Sequence, residues 1–447
     1  MTEPSKNIVI VGGGFGGSTV ARELRARLPN GYMLILISEE SYLTFNPMLA
    51  EVVGASIFPE QVVAPLRQML NLSGSSQFIM GHVVAIDRPA KTVTCSSLAG
   101  EIVVPYSELI LAFGSRPRLD FIPGMVDHAL PLKSIGDAME IRNVVLRRLA
   151  QIELEHDPQQ RRLLGHFVVI GGGFSGVEVA GELADYLKSA RRYYPRVNMD
   201  EVRLTVVQDI ERLLPELPIP LGQAALRSLE RRGVTVLLGK RAAEIRADRI
   251  RCADGEVLAA ATVICTIGTR PNDLIERLGL AAERGRIVTQ PDLSVEGAAG
   301  IWAVGDCALV VNQLDGKVAP PTAQFAVSES RLLARNLLRR VAGRATDPFN
   351  YRSRGMMAAI GHMNGVADVF GILVSGLPAW LIWRAYYLSQ MPTFGRKLRI
   401  FVEWTWGMFF PTDITHFRFT RSGEGRSNEE LGHRGRQRKT PSGAADK

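Results

Sequence analysis

One plan is written twice along this 447-residue chain, and nothing else in it constrains the fold as tightly. From Asn7 there is an apolar strand, IVIV, then the turn Gly12-Gly13-Gly14-Phe15-Gly16-Gly17, then a helix with Ala21, Leu24 and Leu28 at helical spacing. A second strand, LILI at Leu34 to Ile37, follows, and the unit closes with ELILAFGSRP at Pro117. From His166 the same order returns: FVVI, the turn Gly171-Gly172-Gly173-Phe174-Ser175-Gly176, a helix through Val179 and Leu183, the strand LTVV at Leu204 to Val207, and ATVICTIGTRP ending at Pro271. The spacing is kept as well, 102 positions from Gly12 to Gly114 and 97 from Gly171 to Gly268. Strands alternating with helices predict parallel, doubly wound sheets, so the fold class is α/β with two Rossmann-like domains.

A glycine-rich turn alone is a weak signal, because plain connections use glycine too. Here each turn follows a strand and opens a helix, the context in which it cradles a dinucleotide. Gly12 and Gly171 permit the tight turn, Gly14 and Gly173 let the backbone approach a pyrophosphate, and Gly17 and Gly176 let helix and strand pack closely. The phosphates then meet free N–H groups at a helix N-terminus. An acid at the end of the second strand is expected on the adenosine ribose. In the first repeat Glu39 is the preferred residue, with Ser38 beside it in the usual acid position; the plainer use of Glu39 is a solvated loop carboxylate. In the second repeat the position holds Gln208. A neutral amide does not repel a 2′-phosphate, so both NADH and NADPH stay open.

The rest of the chain bounds the reading. Cys95, Cys252, Cys265 and Cys307 lie far apart in sequence and read as buried thiols of a reducing compartment, not as a disulfide framework or a metal cage. Only Met1 to Lys6 precede the first strand, so no signal peptide is expected and the protein is expected to face the cytoplasm. Leu130 to Leu164 reads as a helix and linker, with a turn at Asp157-Pro158. After residue 366 the character changes: Trp380, Trp383, Tyr386, Tyr387, Trp404, Trp406, Phe409 and Phe410 crowd together among Arg384, Arg396, Lys397 and Arg399. The longest uncharged run there, Val369 to Trp383, is 15 residues and contains Pro378. A spanning helix needs about 20 apolar residues. The pattern therefore predicts helices lying on a membrane surface, with a homodimer interface or a core helix pair as the other uses of the same aromatics. Arg418 to Lys447 carries eight Lys/Arg against four Asp/Glu, half of the formal charge of +8. Beside such a region a basic tail fits an anionic membrane better than nucleic acid.

With these motifs in view, the chain resembles the type II NADH:quinone oxidoreductases, non-pumping respiratory flavoenzymes of the FAD-dependent pyridine nucleotide-disulfide oxidoreductase superfamily. The resemblance covers roughly residues 7 to 415. It rests on VGGGFGG at Val11, YLTFNPML at Tyr42, LAFGSRP at Leu111, VVIGGGFSGVEVAGEL at Val168, TIGTRPN at Thr266, WAVGDCA at Trp302 and PPTAQFA at Pro320.

The resemblance implies a glutathione-reductase-like arrangement. A discontinuous FAD domain takes residues 1–130 and 287–345, and an NAD(P)H domain takes 131–286. A membrane-associated region takes 346–420, followed by a disordered basic tail, 421–447. It implies that Gly114 and Gly268 close the two sites and that Asp306, in the Gly305-Asp306 pair, holds the ribityl or phosphate part of the flavin. Glu178 matches a glutamate near the nicotinamide. Gln324 matches the first glutamine of the quinone-site motif A-Q-x-A-x-Q, which reads AQFAVS here, so that Ser328 stands where a second glutamine would be. No metal is implied.

Hydride transfer needs alignment more than acid or base, and the cofactors carry the chemistry. Disulfide-reducing relatives place two cysteines after the second strand; Ser41 to Gly54 has none. Electrons are therefore expected to leave for a small oxidant such as a quinone. The rival expectations are a soluble diaphorase or carrier-protein reductase, and a flavin-bound sensor with negligible turnover.

Overall fold

The computed structural model describes residues 6–70, 75–410 and 412–417. The first of two compact units ends at Ile414; of the second, only 415–417 are described, and they carry no regular element. The expected disordered tail, 421–447, lies outside the described residues.

The first sheet runs in the order Ile301–Ala303, Glu108–Leu111, Lys6–Val11, Tyr32–Ser38, Ser76–Asp87, Thr92–Ser97 and Gly100–Pro105. The first five strands are parallel. Their apolar runs do not alternate because parallel strands are buried on both faces; Ile8, Val9, Ile10, Leu109, Ile110 and Leu111 are all fully buried. Strand 301–303 completes this sheet from far along the chain, so the domain is built from two stretches. The Phe15–Leu24 helix packs on the Ala323–Val341 helix.

The second sheet is wholly parallel: Ala129–Pro131, Thr262–Cys265, His166–Ile170, Arg203–Val207 and Val234–Leu237. It begins at Ala129, ahead of the boundary expected at 131. Leu274, Ile275 and Leu278, expected in the second domain, pack into the core of the first. The linker is two helices. Ile135–Leu154 starts with a capping box between Ser134 and Asp137. Asp157-Pro158 starts the second helix, Pro158–Leu164, where Asp157 caps and proline takes the position whose missing N–H costs nothing. One short antiparallel ribbon ties the repeats together: Arg116–Pro117 pairs with Thr269–Arg270, with Arg116 opposite Arg270.

The C-terminal part begins with a three-stranded antiparallel sheet, Gly355–Ala359, Gly365–Val369 and Ile372–Ser375. Helices Leu377–Gln390 and Phe394–Gly407 follow. Trp380, Trp383 and Trp404 turn inward and share a core with Leu183 and Tyr186 of the second domain. Among the described residues no helix is long and apolar enough to cross a membrane.

Candidate functional site

The two glycine turns have the same backbone. Gly12 and Gly171 sit at φ +109° and +111°, a region that favours glycine. A Cβ on Gly17 would lie 1.8 Å from the Gly12 carbonyl oxygen, and one on Gly176 would lie 1.8 Å from that of Gly171. Nothing stands near the place where a Cβ on Gly14 or Gly173 would go. Those open positions are the N-caps of helices Phe15–Leu24 and Phe174–Ala190, and neither helix has a side-chain cap. Their first N–H groups are thus available to an anion. Gly114 and Gly268 close the repeats, both in left-handed turns.

Strand register decides which residue stands at each ribose position. Val11 is opposite Ile37 and Ile170 is opposite Val207, so the counterpart of Gln208 is Ser38. A Cβ on Gly13 would touch Ser38 Oγ at 2.5 Å, and one on Gly172 would lie 3.1 Å from Gln208 Cβ. Glu39 falls one residue later, level with Asp209, and its oxygens are taken by Arg116 and by His82 Nδ1 at 2.8 Å. Burial works against its charge, but the bonds from Arg116 and His82 outweigh burial and hold the carboxyl below its ordinary pKa. Gln208 is buried, and its Oε1 accepts the Gly172 N–H at 2.7 Å.

Asp306 accepts a hydrogen bond from Ser115 Oγ at 3.0 Å, and Ser115 in turn lies 3.5 Å from Lys133 Nζ. The Gly305 N–H donates to Glu329 Oε2 at 2.8 Å. Glu329 is 1% exposed. Burial raises its pKa to about 7, against the Gly305 N–H and Arg286, which favour the charge. Ser115, Lys133 and Glu329 were missed in the sequence. Glu329 had a local signal, since it lies one helical turn from buried Phe325 and so interrupts an apolar stripe.

A cavity of ≈ 180 Å³ opens between the domains, lined by Asn46 and Leu49 from one repeat and by Ser175, Glu178, Thr266 and Gly268 from the other. Glu178 is buried, and its Oε1 accepts the Ala359 N–H at 3.2 Å. Burial, reinforced by the Glu51 and Glu182 carboxyls, raises its pKa well above the ordinary value, against the Ala359 and Trp383 N–H groups, which favour the charge. A wider groove of ≈ 860 Å³, beside Arg88, Lys91 and Tyr106, is lined by neither glycine turn.

Gln324 lies in the first turn of helix 323–341, which Thr322 caps by accepting the Phe325 N–H. Its Oε1 accepts Ser353 Oγ at 3.3 Å, and the Tyr386 phenol lies against its amide. Ser328 is one turn further along, half-buried like Gln324. The four cysteines are free and buried. Burial pushes the thiol pKa of Cys265 up to about 11 and that of Cys307 to about 12, so neither is a thiolate at neutral pH.

Residues 6–330 match the pyridine nucleotide-disulphide oxidoreductase family. The chain is 30% identical over 421 residues to the type II NADH:quinone oxidoreductase Ndh of Mycobacterium tuberculosis, covering 89% of this chain and 87% of that one. It is 28% identical over 390 residues to the type II NADH:quinone oxidoreductase of Staphylococcus aureus, covering 85% and 93%. The structure of NDH2 from Plasmodium falciparum superposes with a TM-score of 0.85 at 18% identity, over 92% of this chain and 100% of that one, a likeness of fold.

Proposed function

Because the chain belongs to the pyridine nucleotide-disulphide oxidoreductases and, within them, to the type II NADH:quinone oxidoreductases, we infer that it oxidises NADH or NADPH through FAD and reduces a quinone. The observation that carries this reading is the pair of identically shaped, open glycine turns in two domains that share the cavity at Glu178. FAD, when bound, supplies a two-electron acceptor that passes electrons on without a protein thiol. The residues do the rest. The turn at Gly12, Gly14 and Gly17 takes the FAD pyrophosphate, and Ser115, Asp306 and Glu329 shape the backbone along its ribityl part. The turn at Gly171, Gly173 and Gly176 takes the nicotinamide dinucleotide, with Gln208 bracing that turn. Glu178 offers its proton at the cavity. Gln324 offers an amide to a quinone carbonyl, and Ser328, being shorter, leaves room that a second glutamine would fill.

Attachment to a membrane surface follows from the outward face of the C-terminal helices. Leu381, Phe394, Leu398, Phe401, Val402, Trp406 and Phe409 are all more than half exposed, with Arg396, Lys397 and Arg399 among them. Exposed apolar side chains interleaved with basic residues suit the lipid interface, the medium in which a quinone dissolves. The cytoplasmic side, where reduced nicotinamide is supplied, is the side we assign. A homodimer would cover the same face.

The test is anaerobic reduction of the yellow holoprotein by NADH or NADPH, followed by addition of a short-chain quinone, with flavin absorbance as readout. Bleaching by nucleotide and recovery by quinone is the expected course. Reduced flavin that ignores quinones yet reacts with a protein carrier would replace this reading with the carrier-reductase one, and absence of any turnover would favour a sensor.

A further inference from the structure

We propose that Glu51 and Glu182, steadied by Arg384, pass protons from Glu403 at the edge of helix 394–407 inward to Glu178 at the cavity. The proposal deepens the quinone-reductase reading and rests on it. A hydride from NADH carries two electrons and one proton, whereas a quinone becoming a quinol takes two electrons and two protons. One proton per turnover therefore comes from water and must enter a site closed by two packed domains.

Glu178 and Glu182 stand one turn apart on helix 174–190, and Glu51 comes from the Leu49–Val53 helix packed against it. Glu51 and Glu182 are 2% and 5% exposed. Glu182 Oε2 accepts Ser56 Oγ at 2.6 Å, and Glu51 Oε2 accepts Trp404 Nε1 at 3.1 Å. The nearest cation is Arg384, 4.0 Å from Glu51 and held between the rings of Trp380 and Trp404 at 3.6 and 4.7 Å. One guanidinium cannot keep three buried carboxyls charged, so the cluster holds protons at neutral pH.

A second observation concerns the inner end of the cluster. Trp383 is buried, and its indole N–H stands beside the Glu178 carboxyl, where it favours the charged form against the burial that favours the protonated one.

The path reaches solvent at Glu403, the neighbour of Trp404 in helix 394–407. Glu403 is half-buried, accepts the Phe58 N–H, and lies near Glu51 and Glu60. Burial lifts its pKa to about 7, suited to taking a proton from water. The other charged or titratable groups facing the path are Asp185, which pairs with Arg232 and accepts the His362 backbone N–H, the His362 imidazole against Trp380 and near Arg384, and Tyr387 beside Glu178. A hydrophobic plug would fill this volume at lower cost than three acids and one base, so stability alone does not account for them.

The test uses full-length, FAD-loaded protein and the variants E182Q, E51Q and E403Q. Pre-reduced enzyme is reoxidised across pH either by a short-chain quinone or by ferricyanide, which takes electrons without protons. With quinone, the wild-type rate should fall as pH rises through about 8. E182Q should be at least about tenfold slower with quinone and unchanged with ferricyanide. An infrared reduced-minus-oxidised difference spectrum should show a protonated-carboxyl C=O band that E182Q removes. Folded, FAD-loaded E182Q that keeps the wild-type quinone rate, pH profile and infrared band would overturn the relay, even if E51Q does not fold. A wild-type enzyme that reduces ferricyanide but no quinone would instead overturn the quinone reading, and the infrared band would still decide the relay.

Discussion

Replacing Glu329 by glutamine separates two things the residue does. It accepts the Gly305 N–H, which glutamine also does through its carbonyl oxygen, and it carries a buried ionisable group, which glutamine does not. In the folded protein its pKa is about 7, against an ordinary value of 4.5. A carboxyl raised in this way gives stability that is fully present below pH 4.5 and is lost as pH rises through 7. At 1.36 kcal/mol per pKa unit the full loss is about 3 kcal/mol, most of it falling between pH 5 and pH 8. Glu329→Gln should therefore escape about 2–3 kcal/mol of the destabilisation that wild type suffers over that range. Reversible denaturant unfolding of holoprotein at pH 5 and pH 8, read by flavin and tryptophan fluorescence, measures the difference between the two proteins. The other buried acids cancel in that comparison. If the wild-type-to-variant gap is the same at both pH values, Glu329 titrates in the fold as it does in the unfolded chain, and burial does not hold its proton. A second substitution, Glu329→Leu, strands a buried N–H and should cost about 1–3 kcal/mol and weaken FAD retention.

Gln208→Glu keeps an acceptor for the Gly172 N–H but adds a charge against a 2′-phosphate, so the NADPH/NADH ratio of kcat/KM should fall by about 1–3 kcal/mol; an unchanged ratio would remove Gln208 from nucleotide choice. Gln324→Ala should slow flavin reoxidation by quinone up to roughly tenfold, the worth of one neutral hydrogen bond, while leaving reduction by NADH intact, and Ser328→Gln should lower the quinone KM. Equal effects on both half-reactions would place Gln324 at the flavin and not at the quinone. Phe401→Asp with Trp406→Asp should move the protein from the membrane pellet to the supernatant with little loss of thermal stability, since both side chains are exposed; retention on anionic vesicles would point to another surface. Deleting everything after Gly376 is a poor version of that test, because Trp380, Trp383 and Trp404 are core residues.

The repeats could be read in the sequence because their causes are local: a left-handed Gly12 or a Cβ-free Gly17 is required by atoms a few residues away. What could not be read depends on distant pairing. Seeing that Ser38, and not Glu39, is level with Gln208 needs the register of strand 32–38 against strand 6–11, and a single step along a strand end moves the side chain to another place. The inward turn of Trp380 and Trp383 was hidden because helix 377–390 is apolar on most sides and has no polar face to orient it. Glu51, Glu182 and Arg384 look like ordinary surface charges until three helices from separate parts of the chain close around them.

The ribbon between residues 116–117 and 269–270 has a symmetry worth following. Arg116 and Arg270 occupy the same place in their respective repeats, and they are the residues that face one another. Thr269, the counterpart of Ser115, faces Pro117, the counterpart of Pro271, so a local two-fold axis passes between the two arginines. A patch that binds its own copy about such an axis is the isologous contact of a homodimer. In this chain the two copies are joined covalently. The ribbon therefore ties the closing turn of one nucleotide site directly to the closing turn of the other, so that a change at either arginine is felt at both.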